Sequence, residues 1–216
     1  MFKKKHVAAT LLLLSVFLTM AGCSKKSDTY STEYKDGYMR VFHDGKIFAT
    51  YVEDFDEDVY SEDKLKDMVN NEIAEFNANY STDNGMSLEN FEVKDDEAKV
   101  KLAFKTVEDY ILYNEKYVNS NKVIKMFIGT YDDAVAAGYK VTGKLKVAGK
   151  KEKIDVDELT EKEDTSKLYV VYTNQSAVMR FDGDIKYVNN NVKLDEKMAI
   201  TSDKSQNFIL YALKEK

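Results

Sequence analysis

Between Leu168 and Leu213 the chain is a series of short apolar segments separated by turn formers, and this stretch constrains the fold more than any other. Residues 168–172, 177–181, 185–188, 192–194, 197–201 and 208–213 each read as a strand. Gln175, Gly183, the Asn189-Asn190-Asn191 triplet, Asp195-Glu196 and the residues from Ser202 to Ser205 punctuate them. Such close spacing predicts an antiparallel meander. Fifteen tyrosines and eleven phenylalanines, with no proline or tryptophan, strengthen the expectation of a sheet-rich body. Cys23 is the only cysteine, so no intramolecular disulfide can hold the fold, and stability must come from packing and strand pairing.

The preceding residues mix helix and strand. Tyr38 to Val52 predicts a hairpin around Asp44-Gly45, a pair suited to a type I′ turn. Ser61 is the expected N-cap of a first helix, with Glu62 and Asp63 placed well for the helix dipole. Leu65, Met68, Val69, Ile73, Phe76 and Tyr80 give that helix one apolar face. A second hairpin is expected at 91–105, turning on Asp95-Asp96-Glu97. Thr106 with Asp109 and Thr130 with Asp133 repeat a capping-box-like spacing, each opening a further helix. The second helix should bury Val107, Tyr110, Ile111 and Tyr117, and the third should stop at Gly138 in a left-handed cap. A strand at 123–128 and a third hairpin at 139–156 complete this part. The fold class is therefore α+β: a mainly antiparallel sheet with two or three helices and a β-rich meander at the C-terminus.

At the N-terminus Lys3, Lys4 and Lys5 precede an apolar run from Val7 to Ala21, the layout of an export signal. The run is short of the roughly 20 apolar residues that a spanning helix needs. Its ending, Met20-Ala21-Gly22-Cys23, resembles the lipobox of bacterial lipoproteins, with Met20 where leucine is commoner. That resemblance implies a diacylglyceryl group on the Cys23 sulfur and cleavage before Cys23, leaving a two-chain anchor of the kind stable membrane attachment requires. The organisation expected is a signal peptide at 1–22, a flexible tether at 23–36 with a reach of roughly 20 Å, and an α+β domain at 37–156. A charged linker or excursion at 157–167 and the meander section at 168–216, packed on that domain, follow. Asp184-Ile185-Lys186-Tyr187-Val188, Val192 and Phe208-Ile209-Leu210-Tyr211 are similar to the end of small, uncharacterised lipoproteins of Gram-positive gut bacteria. This second resemblance implies location but no activity.

Charge narrows the partners. The whole chain carries a net charge of −6, and loss of the lysine-bearing leader makes it more negative. Nucleic acid, which needs clustered cations, is not an expected partner. His43 is the only histidine beyond the leader, so any histidine-based catalysis would have to use it; beside a tight turn, it reads as an ordinary polar turn residue. Asp54, Asp56 and Asp58 have the opening spacing of a calcium loop, but Val59 and Leu65 stand where glycine and a bidentate glutamate are needed, so a solvated helix entrance is expected. Asp182-Gly183-Asp184 with the asparagine triplet reads as turn chemistry. No catalytic residue, metal site or cofactor is assigned, and the tyrosines are expected mainly in the core. The expectation is a lipid-anchored protein on the outer face of the cytoplasmic membrane. It would bind a small ligand or envelope protein; the alternative readings are a carboxylate-pair hydrolase of the cell envelope and an ABC-transporter substrate-binding component.

Overall fold

The computed structural model describes residues 37–56, 61–81, 83–117, 123–203 and 206–214. Cys23, the leader, the tether and Asp58 lie outside them. The described fold is α+β, with four helices and two mostly antiparallel sheets.

In chain order, β1 (Tyr38–Val41) and β2 (Ile47–Asp54) form the first hairpin, followed by α1 (Glu62–Asn79), β3 (Met86–Lys94), β4 (Glu97–Phe104) and α2 (Val107–Tyr117). Then come β5 (Met126–Thr130), α3 (Tyr131–Ala136), β6 (Lys144–Val147), β7 (Lys153–Asp155) and α4 (Val156–Lys162). The last six strands are β8 (Leu168–Thr173), β9 (Val178–Phe181), β10 (Gly183–Val188), β11 (Lys193–Asp195), β12 (Met198–Ile200) and β13 (Asn207–Leu213). One sheet has seven strands in the order β11-β12-β9-β1-β2-β4-β3, and the other six in the order β5-β8-β13-β10-β6-β7. Only β11 and β12 of the C-terminal block pair as sequence neighbours. The block expected as a meander is instead divided between both sheets, with β9 lying parallel to β1.

Side-chain alternation explains the layers. Met39, Val41, Ile47, Ala49, Leu102 and Phe104 point from one face of the seven-stranded sheet into the main core. There they meet Val69 and Phe76 of α1, Tyr110 and Tyr113 of α2, and Val171, Ile209 and Tyr211 of the six-stranded sheet. The residues between them, Val170, Tyr172, Phe208 and Leu210, fill a second core with Ala134 of α3 and Leu159 of α4. The six-stranded sheet is thus covered on both faces, which is why β13 reads as an unbroken apolar run.

Local details depart from expectation where tertiary packing decides. In the first hairpin only Gly45 has positive φ (+87°), and its N–H donates to the Phe42 carbonyl at 3.1 Å. This is a turn closed by a left-handed glycine bulge rather than the expected type I′ form. Asp95 and Asp96, at φ +54° and +60°, take the doubly left-handed turn instead. Ser61 precedes α1 in extended conformation, but its side chain makes no capping hydrogen bond. Thr130 and Asp133 form the full capping box, and Asp109 N–H donates to Thr106 Oγ1 at 3.0 Å. On α1 the buried set is Leu65, Val69, Glu72 and Phe76, while Tyr80 is exposed. On α2, Tyr113 and Asn114 are buried and Ile111 and Tyr117 are only partly so. Residues 157–167, expected as a linker or excursion, form most of α4 and a short 3-10 turn, pinned by the fully buried Leu159.

Candidate functional site

The C-terminal block passes repeatedly between the two sheets, and its shortest crossing is a single residue. β9 ends at Phe181 in the seven-stranded sheet, and β10 begins at Gly183 in the six-stranded one, with Asp182 between them. Gly183 is required here by close approach: a Cβ would stand 2.1 Å from the backbone oxygen of Ala212 on β13. Any side chain would push the two strands apart.

Asp182 reaches across to the first hairpin. Its Oδ2 accepts from the backbone N–H of His43 at 3.2 Å and from His43 Nδ1 at 2.5 Å, an ion pair when the ring is protonated. Because a carboxylate only accepts, Nδ1 carries the shared proton and Nε2 is left for other partners. The glycine bulge makes this possible, since it sets His43 at the corner of the turn. The His43 ring lies edge-on to Tyr169 of β8, with centroids 5.4 Å apart, and Tyr169 and Phe181 both lie against Tyr211 of β13. The Tyr211 hydroxyl and Asp182 Oδ1 are buried and have no hydrogen-bond partner among the described residues. Burial, then the Asp182 charge, pushes the Tyr211 hydroxyl far above the usual tyrosine range. His43 therefore does join a carboxylate, 139 residues away in sequence. No serine, threonine or cysteine hydroxyl or thiol is hydrogen-bonded to its ring among the described residues; the pair ties the first hairpin turn to the crossover.

Two cavities open beside this crossover, sharing Gly183, Asp184, Glu196 and Lys197 in their walls. The larger, about 650 Å³, is floored by the β6–β7 turn and includes Lys146, Lys150 and Lys151. Burial and the nearby Lys153 lower the pKa of Lys146, whose ammonium donates to the carbonyls of Val192 and Asn190. The smaller, about 470 Å³, lies on the outer side of the seven-stranded sheet and includes Tyr38, Arg40, Lys101, Arg180 and Lys214. Cations outnumber acids in both walls, although the chain as a whole is acidic. This local reversal of charge is the feature that sequence reading missed; its cations are scattered over four strands, two turns and the residue after β13.

A second buried polar group lies in the main core. Tyr113 of α2 donates its hydroxyl proton to Glu72 Oε1 of α1 at 2.5 Å. Burial raises the pKa of Glu72, partly opposed by this hydrogen bond. Burial also drives the Tyr113 hydroxyl far upward, with Tyr51 and Glu72 adding to it. Phe76 and Phe104 lie against the Tyr113 ring at 5.9 and 5.3 Å, and Tyr113 is fully buried.

No protein-family model, curated protein or solved structure matches the chain.

The other residues singled out in the sequence do not converge. Asp54 and Asp56 are exposed at the end of β2 and just beyond, and Leu65 is a core residue of α1. Among the described residues no group of three or more histidines, cysteines or acids is arranged to hold a metal ion. Asn189 and Asn191 each donate to the Gln206 carbonyl, at 2.8 and 3.0 Å, and so clip the loop after β10 to the start of β13. Asp184 lines both cavities instead of joining the asparagines.

Proposed function

We propose that this chain is a lipoprotein held to the outer face of the cytoplasmic membrane through Cys23, whose folded body binds a ligand or envelope partner at the cation-lined crossover. The observation that carries the anchor is the basic, apolar, Ala21-Gly22-Cys23 order of the leader. Binding is favoured over glycan hydrolysis by the cavity walls. A carboxylate-pair hydrolase needs one acid kept protonated by apolar or acidic surroundings, and Asp184 and Glu196 share their cavities with a majority of cations. The His43–Asp182 pair supplies rigidity to the crossover. Membrane fractionation with mass spectrometry of the N-terminal peptide tests the anchor. Wild-type protein should sediment with membranes carrying a diacylglyceryl-modified Cys23, and Cys23→Ser should be soluble or unprocessed. An unmodified thiol on protein in its native host would refute the anchor. A thermal-shift screen against small anions, sugars and peptides tests binding, because a ligand of the native state raises the melting temperature.

A further inference from the structure

Alternation along β1 and β2 sorts their side chains between two faces. Met39, Val41, Ile47 and Ala49 enter the main core, where α1 and α2 cover them. Tyr38, Arg40 and Phe48 take the opposite, outer face, and Phe42 lies edge-on to Phe48 with ring centroids 5.1 Å apart. The rings of Tyr38, Phe42 and Phe48 are half-buried and belong to none of the hydrophobic clusters.

Cations stand over these rings. The Arg40 guanidinium lies 4.9 Å from the Phe42 ring centroid, and the ammoniums of Lys46 and Lys101 lie 4.7 and 4.5 Å from that of Phe48. None of the three forms an ion pair with an acid among the described residues. Asp44, the acid nearest in sequence, accepts from the Lys46 backbone N–H at 3.1 Å instead. Two like charges therefore share one ring without a carboxylate, in a chain where 38 acids outnumber 32 lysines and arginines. The adjoining cavity wall adds Lys197 and Lys214, with Asp184 and Glu196 as its acids. Cation–π contact restricts where a charge points without cancelling it. Arg40 stands over one ring and the lysines over another, so the charge is distributed across the face, and a flat array of anionic headgroups meets it at several points. Aromatic rings interleaved with cations are also the side chains that settle at a membrane–water interface.

Chain connectivity places this face beside the anchor. Tyr38 follows Gly37, and the thirteen residues from Ser24 to Asp36 separate Gly37 from Cys23. A segment of that length spans about 45 Å at full extension and roughly 20 Å as a random coil. A lipid on Cys23 would hold the face at high effective concentration against the bilayer, where a weak attraction is enough. The acidic charge elsewhere on the chain is felt over only about 8 Å at physiological salt.

We infer that the outer face of the seven-stranded sheet docks on the anionic phospholipid surface to which the chain is tethered, through Arg40, Lys46, Lys101 and the rings of Phe42 and Phe48. This rests on the Cys23 anchor and adds the orientation of the body, with the sheet against the lipid and α1 and α2 away from it.

The test is amine labelling, read by mass spectrometry, of the lipidated chain in phosphatidylglycerol or phosphatidylcholine vesicles. Lys46 and Lys101 should label several-fold more slowly on phosphatidylglycerol. That protection should fade in about 1 M salt, where the Debye length is about 3 Å. Lys116, a cation over Tyr80 on the helical side, should label alike on both lipids. Added from solution, the Cys23→Ser chain should bind phosphatidylglycerol vesicles weakly, and Arg40→Gln and Lys101→Gln should each weaken that binding about fivefold. Lys116→Gln should leave it unchanged, and circular dichroism of each variant checks that the fold is kept. Equal labelling of Lys46 and Lys101 on the two lipids overturns the inference, as does protection that survives Arg40→Gln combined with Lys101→Gln. Protection by soluble polyphosphate but by neither vesicle overturns it too, and assigns the face to a soluble polyanion. A lipidated, membrane-bound protein without the lysine protection keeps the anchor and loses the docking face. An unmodified Cys23 in the native protein, with phosphatidylglycerol-specific protection in the Cys23→Ser chain, keeps the face and loses the anchor.

Discussion

Glu72 and Asp182 are both carboxylates held by a hydrogen bond from a residue far away in sequence, yet they do different work. Glu72 sits between two helices, is 9% exposed, and takes its proton donor from Tyr113 in the middle of the core. Asp182 sits at the rim of two sheets and is bonded to His43, whose side chain is 43% exposed. Water screens the second pair and not the first. The same chemistry therefore offsets the cost of burying a carboxylate in one place and mostly orients a turn in the other.

The contrast can be broken most forcefully at the crossover backbone. Gly183→Val should cost about 3 kcal/mol, because the new side chain meets the Ala212 carbonyl, which cannot swing away as a side chain would. Urea denaturation should show a lower midpoint, and the loss of β10–β13 pairing should expose amides there to hydrogen exchange. Tyr113→Phe comes next, since it strands the Glu72 carboxylate in the core; a loss of about 1–3 kcal/mol is expected by the same measurement.

The pH dependence sharpens the difference further. Because Glu72 has a raised pKa in the fold, the folded state holds its proton where the unfolded chain has released it. Its contribution to stability therefore grows as pH falls from neutrality through the folded pKa, and the gain is complete below the ordinary carboxylate value. Glu72→Gln should remove that gain, read as a smaller difference in urea midpoint between pH 7 and a mildly acidic buffer. His43→Ala, at the solvated rim, should cost less than about 1 kcal/mol. Smallest of all is Tyr211→Phe. Its hydroxyl is buried without a partner, so removing it should leave the melting temperature unchanged or raise it slightly, with a gain of at most about 1 kcal/mol.

Much of the local structure was legible in the chain. All six C-terminal strands lie where alternation and turn residues predict them, and the Thr130–Asp133 box is present as spaced. Partner choice was not legible, because pairing β9 with β1 joins residues such as Met39 and Met179 that local pattern cannot connect. The same limit hid the site. Two lone arginines are visible in a sequence, but their adjacency exists only once the register is known. Glu72 was missed for another reason: a glutamate on an amphipathic helix reads as solvent-facing, and only the approach of Tyr113 makes an inward position tolerable. The left-handed Gly45 shows the reverse case, where Asp44-Gly45 announced a turn but not that only its glycine would be left-handed.

In the order of the seven-stranded sheet, β1 is the fourth strand, flanked by β2 on one side and β9 on the other. It is also the first described strand after residue 37, so a pull transmitted along the preceding residues arrives at the middle of the sheet and not at a margin. Extracting β1 would demand simultaneous rupture of an antiparallel ladder and a parallel one, in shear, with no outer strand to peel away first. A body tugged from its N-terminal side is thereby gripped in the interior of a sheet, where two ladders share the load.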